Sequence, residues 1–419
     1  MALVMGLKSS ILCFVRDAEP ICRQMAWCAP SVETLFRSRG KFPRYSVHSD
    51  SVALYVHIPF CGKRCPYCAF YKLIWNSDDE RRFIGALIEE MAIYARNYGK
   101  ITLSSVFWGG GTPSALSLDG ISEIADGIRS YFNVPDGIEW TVEANPETLT
   151  DDRLARFSAH GVNRVSVGIQ STSASELVTL GREHTQSSMD RLLDRIRSMG
   201  IDNINVDFIY GVPGQTLAGV LESIEWALRQ RPTHISTYAL SIEPGTIYAK
   251  TGVTAADEDL QLQMYRGIRR RLLGSGFRQY EVSAFGLPGW ESRHNLSYWH
   301  YSPYIGLGPS ASSYFKGTAY QQVSSLERYV NDPTPPVLKG AVALDTEGVA
   351  AHFLIANLRR SEGVTYSTIE RELGVTRWVP RDPAVKEFKR MGLLRNRDDR
   401  LQLTRRGVEL MNTVLEGLI

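Results

Sequence analysis

From Ala69 to its C-terminus the chain has no cysteine. A disulfide framework spreads its cysteines through the fold, so a secreted, disulfide-stapled protein is disfavoured and a reducing compartment is expected. No run of about 18 apolar residues occurs, which disfavours a membrane-spanning helix. Net charge is nearly absent too: 47 Lys+Arg against 45 Asp+Glu leave +2. Charge alone therefore argues neither for nor against nucleic-acid or membrane partners; no nucleic acid is expected, and any membrane contact would be peripheral. What remains is ordinary globular material, 43% hydrophobic and 22% charged over 419 residues. At one domain per about 100–200 residues it makes two to four domains, or one large α/β barrel with an appendage.

Residues 1–48 differ from the rest. They hold seven Lys/Arg against three acids, with several serines. An organelle-targeting segment, for the mitochondrial matrix or a plastid, is one reading. A disordered extension on a cytoplasmic protein is the other, and Asp17 and Glu19 favour it. From Ser51 the chain becomes regular. Apolar, β-branched runs at 52–58, 105–109, 139–144, 164–169, 203–209 and 234–240 read as strands. Helical patterns fall near 80–96, 117–131, 151–160, 186–199, 216–230 and 257–274. Six β–α units in series predict a parallel sheet with right-handed crossovers. The strands read as nearly continuously apolar, as when both faces are covered. Unusual chemistry stands at the C-terminal end of each. The first leads into a cysteine loop and the second into "GGGTP" (109–113). Glu143, Gln170, Asp207 and Tyr238 mark the other four. Convergence of six such ends predicts an α/β fold, a partial (β/α)6 barrel of the TIM type with its site there. The expected divisions are a barrel over 49–285, a barrel-closing segment and linker over 286–340, and an α+β winged-helix-like domain over 341–419. Within these, 277–285 reads as one further strand.

"HIPFCGKRCPYCAFYK" (57–72) places Cys61, Cys65 and Cys68 as C-x3-C-x2-C, half of the chain's six cysteines. Structural zinc takes four ligands, and only His57 is near enough to be the fourth. A redox C-x-x-C needs Cys65 and Cys68 but leaves Cys61 without a purpose. A [4Fe–4S] cluster on three thiolates leaves one iron open to an outside ligand. The barrel context favours the cluster. The glycines of "GGGTP" would let backbone approach a small ligand closely, or make only a tight turn. Glu143, Asp207, Gln170 and Arg182 could hold its hydroxyls and carboxylate.

C-x3-C-x2-C after the first strand followed by a GGGTP motif resembles the radical S-adenosylmethionine superfamily. There the open iron takes S-adenosylmethionine, which is cleaved reductively, and the protein positions and shields the chemistry. The series "YVHIPFCGKRCPYCAF", "FWGGGTPS", "TVEANPE", "RVSVGIQS", "LGREHT", "NVDFIYGVPGQT" and "STYALSIEPGT" is more specific. It resembles the oxygen-independent coproporphyrinogen III oxidase family and its HemW relatives, from about Leu54 to the C-terminus. The resemblance implies a cluster on Cys61, Cys65 and Cys68. It places Tyr55, Gly110, Gly111, Thr112, Glu143, Gln170, Arg182 and Asp207 at S-adenosylmethionine positions. Tyr67 falls near a second such molecule in the oxidases.

Phe70 divides the two activities. The oxidases continue C-x3-C-x2-C-x-C, and the heme-chaperone form has phenylalanine there. "RHNLSYW" (293–299) resembles the chaperones' H-N-x-x-Y-W heme motif. It implies heme near His294, Asn295, Tyr298 and Trp299, with His300 as a nearby competitor for the iron. Tyr301 and Tyr304 would add porphyrin-packing surface, whereas the bland reading is a core of aromatics and a hydrogen-bonded histidine. The lead expectation is a chaperone binding a [4Fe–4S] cluster, S-adenosylmethionine and heme. It would deliver heme to acceptors such as respiratory enzymes and draw on a ferredoxin- or flavodoxin-type electron donor. The alternative is an enzyme that decarboxylates coproporphyrinogen III. A zinc-binding or winged-helix regulator comes third.

Overall fold

The structure, a computed structural model, describes residues 51–341, 346–373 and 383–418. Both readings of residues 1–48 lie outside the described residues. Six parallel strands form the centre: β1 (Ser51–Ile58), β2 (Thr102–Gly110), β3 (Glu139–Ala144), β4 (Arg164–Gln170), β5 (Asn203–Tyr210) and β6 (His234–Ala239). They pair in chain order, each with the next. The sheet does not close. Antiparallel strands at Ala284–Gly286 and Arg278–Gln279 extend its β6 edge. Tyr304–Leu307 runs parallel to β1 on the other side, and Ser312–Phe315 and Thr318–Gln321 continue that edge antiparallel. The result is a partial α/β barrel in an eleven-stranded sheet.

Helices follow the strands where capping and periodicity place them. Ser77–Tyr98 begins at Asn76, whose side chain accepts the Asp79 N–H, and three acids occupy its first turn,. It buries Phe83, Leu87, Met91 and Tyr94. Ser117, Thr150, Thr185, Thr216 and Asp257 cap the helices after β2 to β6 in the same way.

The strands are not apolar on both faces. Leu54, Val56, Trp108, Trp140, Val142, Val165, Val167, Val206 and Ile235 form the core under the helices. The alternate positions, Ser105, Glu139, Thr141, Glu143, Arg164, Ser166, Asn205, Asp207, His234 and Ser236, face the lumen. A closed barrel fills that space with branched aliphatics. Here it is a polar chamber, with hydrogen bonds running across strands from Ser166 to Asp207 and from Asn205 to Ser166.

Two further expectations change. The segment 277–285 is a tight pair of short strands rather than one, with Phe285 opposite Gln279. The irregular-looking stretch 286–320 contains a helix, Arg293–Trp299, and three four-residue strands. The C-terminal part carries helix Thr346–Leu358 and a three-stranded sheet whose wing pairs Leu394–Arg397 with Arg400–Leu403. Asp398 and Asp399 take positive φ (47° and 60°), as a two-residue hairpin turn requires,.

Candidate functional site

At the upper mouth, β1 leads directly into the cysteine loop. Cys61 is buried and Cys65 and Cys68 are partly exposed; all three thiols are free. Cys61 lies in a two-strand bridge, opposite Ile74. Thr112 Oγ1 donates to its sulfur at 3.4 Å. Burial pushes the Cys61 thiol up, and that hydrogen bond offsets part of the effect. Lys72 Nζ donates to the carbonyl oxygens of Cys68 (2.6 Å) and Phe70 (3.2 Å), closing the turn. His57 is fully buried, its Nε2 on the Tyr71 carbonyl and its Nδ1 on Tyr55 Oη. It is not available as a fourth zinc ligand. Among the described residues, no three His, Cys, Asp or Glu side chains gather around a point that one metal ion could fill. Three free thiols in one turn match the donor set of a cluster, whose ligands bind separate irons.

The glycine run is zipped to this loop. Gly111 N–H donates to Ile58 O, and Thr112 N–H to Phe60 O. A Cβ at Gly109 would meet the Glu143 carboxylate, at Gly110 the His57 ring, and at Gly111 the carbonyls of Phe60 and Ile58. The glycines are thus demanded by protein packed against protein, in addition to any ligand. Glu143 accepts the Gly110 N–H at 3.2 Å. Burial, then the neighbouring Asp207, raises its carboxyl to about 8. Burial raises Asp207 as well, against hydrogen bonds from Asn205, Ser166 and Ser236. Gln170 ends β4 at a register shift with φ 67°, and its amide folds over Gly168. Such bulges re-aim side chains beside sites.

Arg182 reaches across to the cysteine loop and donates to Tyr67 Oη at 2.9 Å. Its Nε and Nη1 are buried with no hydrogen-bond partner among the described residues. Two open N–H groups on a held guanidinium suit an incoming carboxylate. Sequence reasoning missed the residue behind it. Glu147 accepts from the Glu183 N–H (3.0 Å) and His184 Nδ1 (3.1 Å), and lies 3.7 Å from Lys63 Nζ and 3.9 Å from Arg182. Burial works to raise its pKa, but those partners hold it at about 2. One carboxylate so braces the cysteine loop and the "LGREHT" loop. Only its place in "TVEANPE" signalled it.

The "RHNLSYW" helix lies at the opposite end and forms the barrel floor. Glu139, at the start of β3, accepts the backbone N–H groups of Arg293 and His294, both at 3.0 Å. His294 is fully buried, with Nδ1 on Ser105 Oγ (2.8 Å), Nε2 on Tyr298 Oη (2.7 Å) and its ring stacked on Phe107. Asn295 N–H donates to Ser292 Oγ. Tyr298 packs on Tyr304, Tyr301 on Tyr314, and Trp299 lies under the Arg359 guanidinium. These aromatics pack on one another rather than around an open slot. Arg164, buried at the start of β4, was also missed; its positive charge favours the ionised forms of Glu143 and Asp207.

A partial barrel with three thiols on the β1 loop defines a radical S-adenosylmethionine protein, and that superfamily matches residues 55–227. The HemN C-terminal domain matches residues 344–410. The chain is 32% identical over 370 residues to the heme chaperone HemW of Lactococcus lactis, covering 87% of this chain and 96% of that one. It is 35% identical over 353 residues to the mouse radical S-adenosyl methionine domain-containing protein 1, mitochondrial, covering 83% and 78%. The chain belongs to the HemW heme chaperone family. The coproporphyrinogen III oxidase HemN of Escherichia coli shares the fold, with a TM-score of 0.77 at 22% identity over 90% of this chain and 91% of that one.

Proposed function

We propose that this protein binds heme and passes it to acceptor proteins, respiratory enzymes among them. In this reading Cys61, Cys65 and Cys68 hold a [4Fe–4S] cluster. S-adenosylmethionine lies between the cluster and the upper lumen. Arg182 takes its carboxylate. Glu143 and Asp207 face its cationic groups; Tyr55, Tyr67, Gly110, Gly111, Thr112 and Gln170 line the rest. The bound group supplies one-electron chemistry, fed by a ferredoxin- or flavodoxin-type donor. The chain's own residues fix the loop, orient the ligand and hold the proton on Glu143 until a cation arrives.

The observation that carries the chaperone reading is Phe70. It stands 52% exposed on the cysteine turn, at the position where the oxidase form has its fourth cysteine. An exposed apolar side chain there contributes no ligand or thiol chemistry. Heme iron on His294 would require releasing one of its two ring hydrogen bonds. No helix among the described residues is long and apolar enough to cross a membrane. We place the protein in the cytoplasm, or in the mitochondrial matrix or a plastid if residues 1–48 target it.

The test is heme titration of the anaerobically reconstituted protein, followed by transfer to an apo-acceptor, with coproporphyrinogen III turnover measured in parallel. Stoichiometric heme binding and transfer without turnover is expected. Decarboxylation of coproporphyrinogen would overturn the reading. Cys61→Ala should abolish the broad cluster absorption near ~400 nm.

A further inference from the structure

Arg164 carries a buried charge that no acid of the lumen answers. It is 2% exposed at the start of β4, on the lumen face one alternation below Ser166,. Its Nε is buried with no hydrogen-bond partner, and no ion pair reaches the guanidinium among the described residues. The carboxylates that border the chamber are engaged elsewhere. Glu139 accepts the N–H groups of Arg293 and His294. Glu281 lies 3.6 Å from Arg359 and accepts the Ser283 N–H. Asp207 accepts from Asn205 and Ser166, and Glu143 keeps its proton. A buried cation without a counter-ion is costly.

The guanidinium points into the chamber. Its charge acts on Glu143 of β3, Asp207 of β5, His234 of β6, Tyr280 and His294 of the floor helix, in every case as a lesser influence than burial. A side chain that faces all five lies inside the barrel. The space above it is open. Tyr238, on the lumen face of β6, is 42% exposed although its hydroxyl lies among Asp207, Glu281 and Glu143. Glu143, Gly168 and Asp207 are partly exposed as well. Glu143 pairs in register with Ser166, two residues above Arg164 or about 7 Å along the strand, within reach of an extended arginine side chain,. Thr141, opposite Arg164 in register, adds a second buried group, its Oγ1, that has no partner.

We infer that the lumen binds a small organic acid, its carboxylate paired with the Nη groups of Arg164 on the floor side of Glu143 and Asp207. A guanidinium meets a carboxylate with two parallel hydrogen bonds, and the pair supplies the counter-charge that the protein itself lacks. The Thr141 hydroxyl is placed to take a third polar contact. This ligand is additional to S-adenosylmethionine, and the assignment goes beyond the heme reading without depending on it.

The experiment titrates acetate, lactate and 3-hydroxybutyrate into the full-length, anaerobically reconstituted protein, with chloride at equal ionic strength as the comparison, by calorimetry and by Tm. At least one of the acids should bind saturably and raise Tm. Arg164→Gln should weaken that binding about tenfold or more. Its ligand-free Tm should match or exceed the wild-type value, because the substitution removes an unpaired charge. Arg164→Lys, which keeps the charge and loses the fork, should bind between the two. Thr141→Val should weaken binding by about threefold. Absence of saturable binding by the wild-type protein, or wild-type affinity in Arg164→Gln, would overturn the site. So would an Arg164→Gln protein that is unfolded or much less stable than wild type without ligand, since the guanidinium would then be structural. Chloride bound as tightly as the acids would overturn the carboxylate assignment.

Discussion

Glu143 is held protonated in the lumen by burial and by Asp207, its pKa raised from 4.5 to about 8. The folded state therefore binds this proton more tightly than the unfolded chain. Its contribution to stability is complete below pH 4.5 and is lost as pH climbs to 8, at about 1.4 kcal/mol per unit. Glu90, raised by burial to about 7 while accepting from Gly308, Gln322 and Tyr329, acts in the same direction. The Tm of the cofactor-free protein should fall between pH 5 and pH 8, and Glu143→Gln should flatten that slope. Parallel wild-type and variant profiles would show that Glu143 ionises freely. At this scale the sequence spoke clearly where a residue type is rare or patterned: three cysteines in one turn, Phe70 after them, a triple glycine. It offered His57 only as a zinc ligand, and it was silent on Arg164 and on Glu147, whose partners Lys63, Glu183 and His184 lie dozens of residues away.

The elements divide in the same manner. Strands β1 to β6 were legible because each is a long β-branched run between capped helices, and every one lies within a few residues of its expected bounds. The stretch 286–321 was not, because its strands are four residues long and interrupted by glycine and serine. Those glycines are structural. Gly306 would drive a Cβ onto the Ser312 carbonyl, and Gly308, at φ 92°, would drive one onto the His57 carbonyl at 2.7 Å. The Gly308 N–H also donates to Glu90 at 2.8 Å, so the segment is fastened to helix Ser77–Tyr98 and to the end of β1 together. Gly308→Ala should lower stability by about 1–3 kcal/mol, read as a drop in Tm. It should also reduce cluster loading, because β1 carries the cysteine loop. A variant with unchanged Tm and loading would show that the segment gives way freely.

For the molecule as a whole, the strand pair at 278–286 and the C-terminal domain share a buried ion pair. Glu281 and Arg359 lie 3.6 Å apart, each nearly inaccessible, and Arg359 also covers Trp299. Removing one partner of a buried pair leaves an uncompensated charge, which costs about 3–5 kcal/mol. Arg359→Leu should therefore lower stability in urea unfolding by about that amount, and adding Glu281→Gln should restore part of it. Additive losses would mean that the two side chains are not coupled. That the C-terminal part is winged-helix-like could be read from its helices and hairpin; how it docks could not, since the contact joins residues far apart in sequence, Glu281 with Arg359 and Arg266 with Glu409 among them. The path of the chain has a consequence for synthesis. After β6 it passes beneath the barrel and returns to lay Tyr304–Leu307 alongside Ala53–Val56. A growing chain thus carries β1 with one edge unpaired until roughly 250 more residues have left the ribosome. At about 5–20 residues per second, that leaves the strand bearing the cysteine loop open to wrong pairing for tens of seconds or less.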